Sequence, residues 1–123
     1  MTALLAALAL AVPVPVPTQT GFETPSGNIV CNAGPYRGKP LLACTVFSLE
    51  DPKRGQKIWA LPASGRVSVG YILGNAATDY PKLAYGRSWS WHTIRCSSAR
   101  RGLTCRNPAG HGFFLSRSSQ RIF

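Results

Sequence analysis

The sequence contains two histidines, His92 and His111, in a chain with many cationic side chains. Such a set could cleave RNA: one imidazole would take the proton of the 2′-hydroxyl, the other would protonate the leaving oxygen, and an arginine would hold the phosphate. The spacing of the two histidines gives no further support for this mechanism, and either imidazole could instead fix a loop. A secreted ribonuclease-like hydrolase using His92 and His111 is therefore kept as the alternative function.

The remaining residue types argue against other kinds of catalysis. Only four acidic residues are present, and Glu50 and Asp51 are neighbours in a charged loop predicted to run to Lys57, not the facing carboxylates of a glycosidase. Ser116 follows His111 closely, but no G-x-S-x-G motif and no glycine-rich phosphate loop occur. These patterns favour a protein that is not an enzyme and that uses no cofactor.

Positive charge is the strongest chemical signal in the chain. There are 14 Lys and Arg residues against 4 Asp and Glu, the net charge is +10, and no acidic residue follows Asp79. An arginine fork can bind two oxygens of a phosphate or a carboxylate at once. We therefore predict a binding surface formed by Arg87, Arg95, Arg100, Arg101, Arg106 and Arg117, with Arg121 nearby.

Trp89 and Trp91 complete this predicted surface, because aromatic rings can stack on sugar rings or bases. Large aromatic residues also dominate small cores, so core packing is the competing interpretation for both tryptophans. For the arginines, the competing interpretation is a solvated surface that keeps the protein soluble.

The charge also limits the class of partner. A basic surface prefers polyanions, so we expect an acidic cell-envelope polymer or the acidic surface of a protein. Nucleic acid would bind non-specifically at low salt whatever the biological role. The sequence thus predicts a monomeric, basic binding module of unknown specificity.

Four cysteines in a short chain predict two disulfides and no metal site, because neither the cysteines nor the histidines have the spacing of zinc ligands. The segment between Cys96 and Cys105 is polar, which indicates a hairpin that folds at Arg100-Arg101 and places these cysteines opposite each other. Cys31 and Cys44 bracket a turn-rich segment and repeat this plan with a longer loop.

Alternating apolar and polar residues predict strands through much of the chain. Examples are a half-buried strand through Val67, Val69 and Tyr71, a strand from Trp89 to Ile94, and a last strand at 121–123. No helical period is present, and the 12 glycines and 10 prolines suit many turns. We predict an all-β fold, a small antiparallel barrel or sandwich of about seven or eight short strands.

The first 20 residues differ from the rest. The run from Leu4 to Val12 is apolar but shorter than the about 20 residues that span a bilayer, and it fits the hydrophobic region of a secretory signal peptide. Prolines then indicate an extended spacer. We predict a signal peptide and Pro-rich spacer over residues 1–20 and a single disulfide-stapled β-domain over residues 21–123. The protein would be secreted, with no stable membrane span after processing.

Two stretches resemble the two ends of a family of small secreted bacterial proteins. One is F-E-T-P-S-G-N-I-V-C at residues 22–31, and the other joins G-L-T-C-R-N at 102–107 to G-H-G-F-F-L-S-R at 110–117. The resemblance extends over about residues 22–123. The family is a domain of unknown function, so the resemblance implies a secreted domain with local disulfides, and no activity or functional residue.

Overall fold

Short strands account for most of the part of the chain that the computed structural model describes, residues 20–74 and 79–123. These ranges contain ten strands and one 3-10 helix, Phe47–Leu49. The strands are β1 (Thr20–Glu23), β2 (Ile29–Tyr36), β3 (Lys39–Val46), β4 (Gln56–Pro62), β5 (Ser68–Ile72), β6 (Ser88–Trp91), β7 (Ile94–Ala99), β8 (Gly102–Arg106), β9 (Gly112–Leu115) and β10 (Gln120–Ile122). The predicted signal peptide and spacer lie outside the described residues, apart from Thr20.

The strands pair with their sequence neighbours in two five-stranded antiparallel sheets. The first sheet has the order β1-β2-β3-β4-β5, and the second sheet has the order β10-β9-β8-β7-β6. Such meanders need only short connections, because two residues suffice to join antiparallel neighbours. The predicted all-β class is confirmed, and neither sheet closes into a barrel.

One hydrophobic core joins the two sheets. Each sheet contributes one face, because successive side chains of a strand point to opposite sides. The largest buried side chains of the first sheet are Phe22, Leu42, Trp59 and Leu61, and those of the second are Ile94, Leu103, Phe113 and Leu115. This alternation also decides which polar residues reach the outer face of each sheet.

Both predicted disulfides are confirmed. Cys31 lies opposite Cys44 and Cys96 lies opposite Cys105 in the strand registers, and each pair is bonded. The second hairpin folds at Arg100-Arg101, as predicted. The first is tighter than predicted, since β2 and β3 are joined by the two residues Arg37 and Gly38, whose φ angles of 52° and 78° suit a two-residue turn. Each bridge is expected to stabilise the fold by about 3 kcal/mol.

Strand β4 was not predicted. The charged loop expected to reach Lys57 is shorter, because β4 begins at Gln56. This strand lies between β3 and β5 in the first sheet, and it places Trp59 and Leu61 in the core.

Two other strands differ from their predictions. The continuous strand expected from Trp89 to Ile94 is a hairpin that turns at His92-Thr93, with Trp91 opposite Ile94. His92 has a φ of 52°, which is uncommon for a residue other than glycine. The predicted half-buried strand becomes β5 at the edge of the first sheet, and it is largely exposed.

Asn107 connects the second sheet to the first. Its side chain is buried, and its Nδ2 donates to the carbonyl oxygens of Pro62 at 3.0 Å and Gly65 at 2.9 Å. Its Oδ1 accepts hydrogen bonds from the backbone N–H groups of Ala109 and His111. One amide thus holds the β8–β9 loop in shape and fixes it to the end of β4 and to the loop that follows.

Candidate functional site

The arginines of β7 and β8 point away from the core. Cys96 and Cys105 are fully buried, so their neighbours Arg95 and Arg106 lie on the opposite, outer face of the second sheet. The register sets Arg95 directly opposite Arg106. Two positive side chains therefore stand side by side on adjacent strands.

Phe114 lies on the same outer face and is covered by two more arginines. The guanidinium carbons of Arg101 and Arg121 lie 5.1 Å and 4.9 Å from the centre of its ring. This cover leaves Phe114 only 7% exposed although it points away from the core. The guanidinium of Arg106 lies in the same way 5.0 Å from the ring centre of Phe123. Cation–π contacts of this kind orient guanidinium groups without neutralising them.

These residues form one surface, called here the arginine face: Arg95, Arg101, Arg106 and Arg121 with the rings of Phe114 and Phe123. Arg121 was expected only near the predicted site, and the two phenylalanines were not among its residues. Register alone shows that Arg121 belongs here, because it lies opposite Phe114 across β9 and β10.

No side-chain carboxylate of the described residues lies on the arginine face. Among the described residues, the salt bridges join Lys82 to Glu23 at 2.8 Å and Arg54 to Asp51 at 3.0 Å, and neither involves the arginine face. Since no acidic residue follows Asp79, the second sheet itself contains no negative side chain. No ion pair between side chains therefore offsets the positive charge of the arginine face.

The other predicted arginines lie around this surface and not on it. Arg100 occupies the β7–β8 turn, with its guanidinium 5.1 Å from the ring centre of Tyr85. Arg117 follows β9 and Arg87 precedes β6, and both are exposed.

The two predicted tryptophans do not share the arginine face. Trp89 pairs with Cys96 and Trp91 with Ile94, so both indoles lie on the core side of β6. Both are half-buried against the core, and the Trp89 ring lies 4.9 Å from that of Phe22. The aromatic rings that accompany the arginines are those of Phe114 and Phe123 instead.

The two histidines come to the same end of the second sheet. His92 is in the β6–β7 turn and His111 just precedes β9, and this is also the end at which Arg95 and Arg106 lie. Strands β7 and β8 lie between the two backbones, which are therefore roughly 14 Å apart, given a strand spacing of about 4.8 Å. The His92 ring packs edge-on against Trp91 at 4.4 Å, while the backbone of His111 is held by Asn107.

Asp51 has a local structural role. Its carboxylate accepts the backbone N–H groups of Lys53 and Arg54 and the Arg54 guanidinium. The pKa of Asp51 is lowered from its ordinary 3.8 to about 2. The largest cause is the hydrogen bond from the Arg54 N–H, and the next is that from the Lys53 N–H. This carboxylate is thus an ionised loop cap, unsuited to act as a general acid.

The described residues offer no metal centre. All four cysteines are oxidised, and no three His, Asp or Glu side chains of the described ranges gather where they could share an ion. Residues 20–74 and 79–123 also contain no helix of the length and hydropathy needed to cross a membrane.

A known protein family matches the C-terminal two thirds of the chain. A family model described as a family of unknown function, DUF6636, matches residues 44–123. The chain belongs to this DUF6636 family. The match begins within β3 and takes in the whole second sheet, including the arginine face and the stretch at 102–117 noted in the sequence.

No curated protein and no solved structure gives a significant match. Membership of DUF6636 therefore brings no activity with it.

Proposed function

We propose that this DUF6636 protein is a secreted binding module that holds an acidic polymer on its arginine face. The observation that carries this proposal is the pair Arg95 and Arg106, which lie opposite each other on adjacent strands with no acidic residue on their sheet. Like charges in directly opposite positions destabilise a sheet. An anion lying across the two guanidiniums removes that repulsion, so binding and local stability favour each other.

The rings on the arginine face prepare it for binding. Arginine side chains lose conformational entropy when a ligand fixes them. Arg101, Arg106 and Arg121 are already held over aromatic rings, so part of this loss occurs on folding instead. A cation–π contact uses none of the guanidinium N–H groups as a hydrogen-bond donor, so these forks can still donate to oxyanions.

The dimensions of the arginine face suit an extended ligand. Arg101 and Arg106 are five residues apart along one hairpin arm, a separation of about 17 Å. Arg95 on β7 and Arg121 on β10 are three strand spacings apart, about 14 Å. A flat surface of this size with four separate charges matches several anionic groups of a polymer better than one small molecule.

The expected location agrees with such a partner. Two disulfides, with no free cysteine among the described residues, are typical of an oxidising compartment. Outside the cytoplasm, a basic protein meets the acidic polymers of the cell envelope. We therefore take an acidic envelope polymer as the partner class.

Neutralising the central pair of the arginine face tests this proposal. The double variant Arg95→Gln with Arg106→Gln should bind fluorescent polyphosphate about tenfold more weakly at physiological salt. The slope of log affinity against log salt should fall by about 2, because two fewer phosphates are neutralised by the protein. Fluorescence anisotropy titrations at several salt concentrations measure both quantities.

The matched control removes the same charge elsewhere. Arg37→Gln with Lys39→Gln also lowers the net charge by two, in the exposed β2–β3 hairpin of the first sheet. This control should bind polyphosphate within about twofold of the native protein. Equal losses in the two double variants would mean that only net charge matters, and the arginine face would not be a site.

The ribonuclease-like alternative has one favourable observation, the position of both histidines near Arg95 and Arg106. A binding module should leave a labelled single-stranded RNA intact during prolonged incubation, as judged by a denaturing gel. Cleavage that disappears in both His92→Ala and His111→Ala, with unchanged circular dichroism, would replace the binding module with an enzyme. Cleavage that survives both substitutions would indicate a contaminating nuclease.

A further inference from the structure

A cleft of about 180 Å³ lies at the other end of the second sheet from the histidines. It forms where the β7–β8 turn meets the turn that precedes β2 and the chain that leaves β9. Its polar side chains include those of Ser26, Tyr85, Arg100, Arg101, Ser116 and Arg117.

All the charged residues that line the cleft are positive. Three arginines line it, and none of its lining residues is acidic. Glu23, next to the turn that forms one wall, is ion-paired with Lys82 at 2.8 Å. A negative ligand would therefore meet three cations and no competing carboxylate.

Several hydrogen-bond donors of the cleft are still free. The Ser26 hydroxyl oxygen accepts the Asn28 N–H, which leaves its own hydrogen to donate. By contrast, the Ser116 hydroxyl is used in the turn to Ser119 and the Asn28 amide is used by Ser48. The donors left for a ligand are the guanidiniums and the hydroxyls of Ser26 and Tyr85.

Size and charge together indicate the class of ligand. Pockets for drug-sized molecules measure about 300–1,000 Å³, so this cleft accommodates a single compact group. A phosphate monoester has three terminal oxygens and about −1.5 to −2 charge at pH 7. A diester has a single charge and must continue in two directions from the phosphorus, which suits a small cleft less well.

We propose that this cleft binds the terminal phosphate monoester of a polymer that lies on the arginine face. Arg101 connects the two sites, because it lines the cleft and its guanidinium also covers Phe114 on the arginine face. This inference rests on the proposed function for the rest of the polymer, whereas the cleft itself can be tested with a small monoester.

The first experiment titrates the oxidised protein with phenyl phosphate at constant ionic strength and follows its backbone amides by NMR. Saturable shifts are expected at Ser26, Gly102 and Arg117, and not at Arg95 and Arg106. The affinity should rise between pH 5 and pH 7.5, as the monoester loses its second proton with a pKa of about 6. Methyl phenyl phosphate, a diester of similar shape, should bind at least about tenfold more weakly, because it has one charge fewer for the arginine forks.

The second experiment uses a single-stranded oligothymidylate with and without a 5′-phosphate. The terminal phosphate should increase affinity about tenfold in the native protein, the effect of one good charge-assisted contact, and the variant Arg117→Gln should abolish this increase. Arg117 is exposed and outside every strand, so its replacement should leave the fold intact. Arg106→Gln, the matched control, should weaken both oligonucleotides equally and keep the increase.

Each result has a distinct meaning. Equal binding of phenyl phosphate and its diester, shifts spread over the arginine face, or no saturable shift would overturn the cleft as a monoester site. Equal affinity for the two oligonucleotides would overturn the link between the cleft and the arginine face. Weak binding of both oligonucleotides with normal binding of phenyl phosphate would instead count against the proposed function alone.

Discussion

Replacing Asn107 with alanine should lower the free energy of unfolding by about 3 kcal/mol. The side chain is 2% exposed and its amide makes four hydrogen bonds to backbone groups. Alanine would leave the carbonyl groups of Pro62 and Gly65 and the N–H groups of Ala109 and His111 without their partner. A buried polar group that loses its partner costs about 1–3 kcal/mol, and partial hydration of this loop reduces the sum.

Urea unfolding followed by tryptophan fluorescence measures this loss, and Asn28→Ala is its matched control. The Asn28 amide also bonds to a neighbouring loop, donating to the Ser48 hydroxyl and accepting the Ser48 N–H, but it does so at an exposed position. Water can replace both bonds there, so a loss below about 1 kcal/mol is expected. Similar losses of unfolding free energy in the two variants would show that the hydrogen bonds of Asn107 do not hold the two sheets together as we infer.

The second hairpin could be predicted from the sequence, because its residue types and its alternation indicate the same structure. Two cysteines flanking a polar segment predicted the turn, the register and the bridge between Cys96 and Cys105. Arg95 and Arg106 flank these cysteines on the far side from the turn, so the same register already sets them opposite each other. The central pair of the arginine face therefore follows from the disulfide prediction and the alternation of side chains.

Strand β4 shows why other parts could not be predicted. Its outer positions Ile58 and Ala60 are as apolar as its core positions Trp59 and Leu61, so no alternation marks it as a strand. The turn at His92-Thr93 was hidden for a related reason. Neither residue is a usual hairpin-turn residue, and only the folded chain shows the positive φ of His92.

The composition of the candidate site depends on which strands become neighbours. By residue type alone, Arg87, Arg100 and Arg117 were as suitable as Arg95 for binding an anion. Phe114 and Arg121 meet only because β10 returns beside β9 at the edge of the second sheet. Trp91 was the more obvious aromatic residue, but its position opposite Ile94 turns it toward the core. The sequence predicted a last strand at 121–123, but not that its partner is β9.

Replacing Gly112 with alanine should destabilise the protein by about 3 kcal/mol, at the upper end of what overpacking costs. Gly112 lies in β9 opposite Arg106, and a Cβ placed there would overlap the carbonyl oxygen of Cys105 and lie 2.9 Å from the Cα of Arg106. Both obstacles are backbone atoms, so the crowding can be relieved only by moving β8 and β9 apart. Gly112 also exchanges two backbone hydrogen bonds with Phe123, both 3.0 Å long, and these would be disturbed as well.

Gly70→Ala in β5 separates this crowding from the general effect of adding a methyl group to a strand glycine. Gly70 has no atom within 4 Å of the position its Cβ would take, and its φ is not positive. Alanine there should stabilise the protein by about 0.5 kcal/mol, because it restricts the unfolded chain. Opposite signs for the two substitutions in urea unfolding are the expected result. A neutral Gly112→Ala would mean that β8 and β9 can separate freely, and the fixed spacing of Arg106 and Phe123 on the arginine face would then have no support.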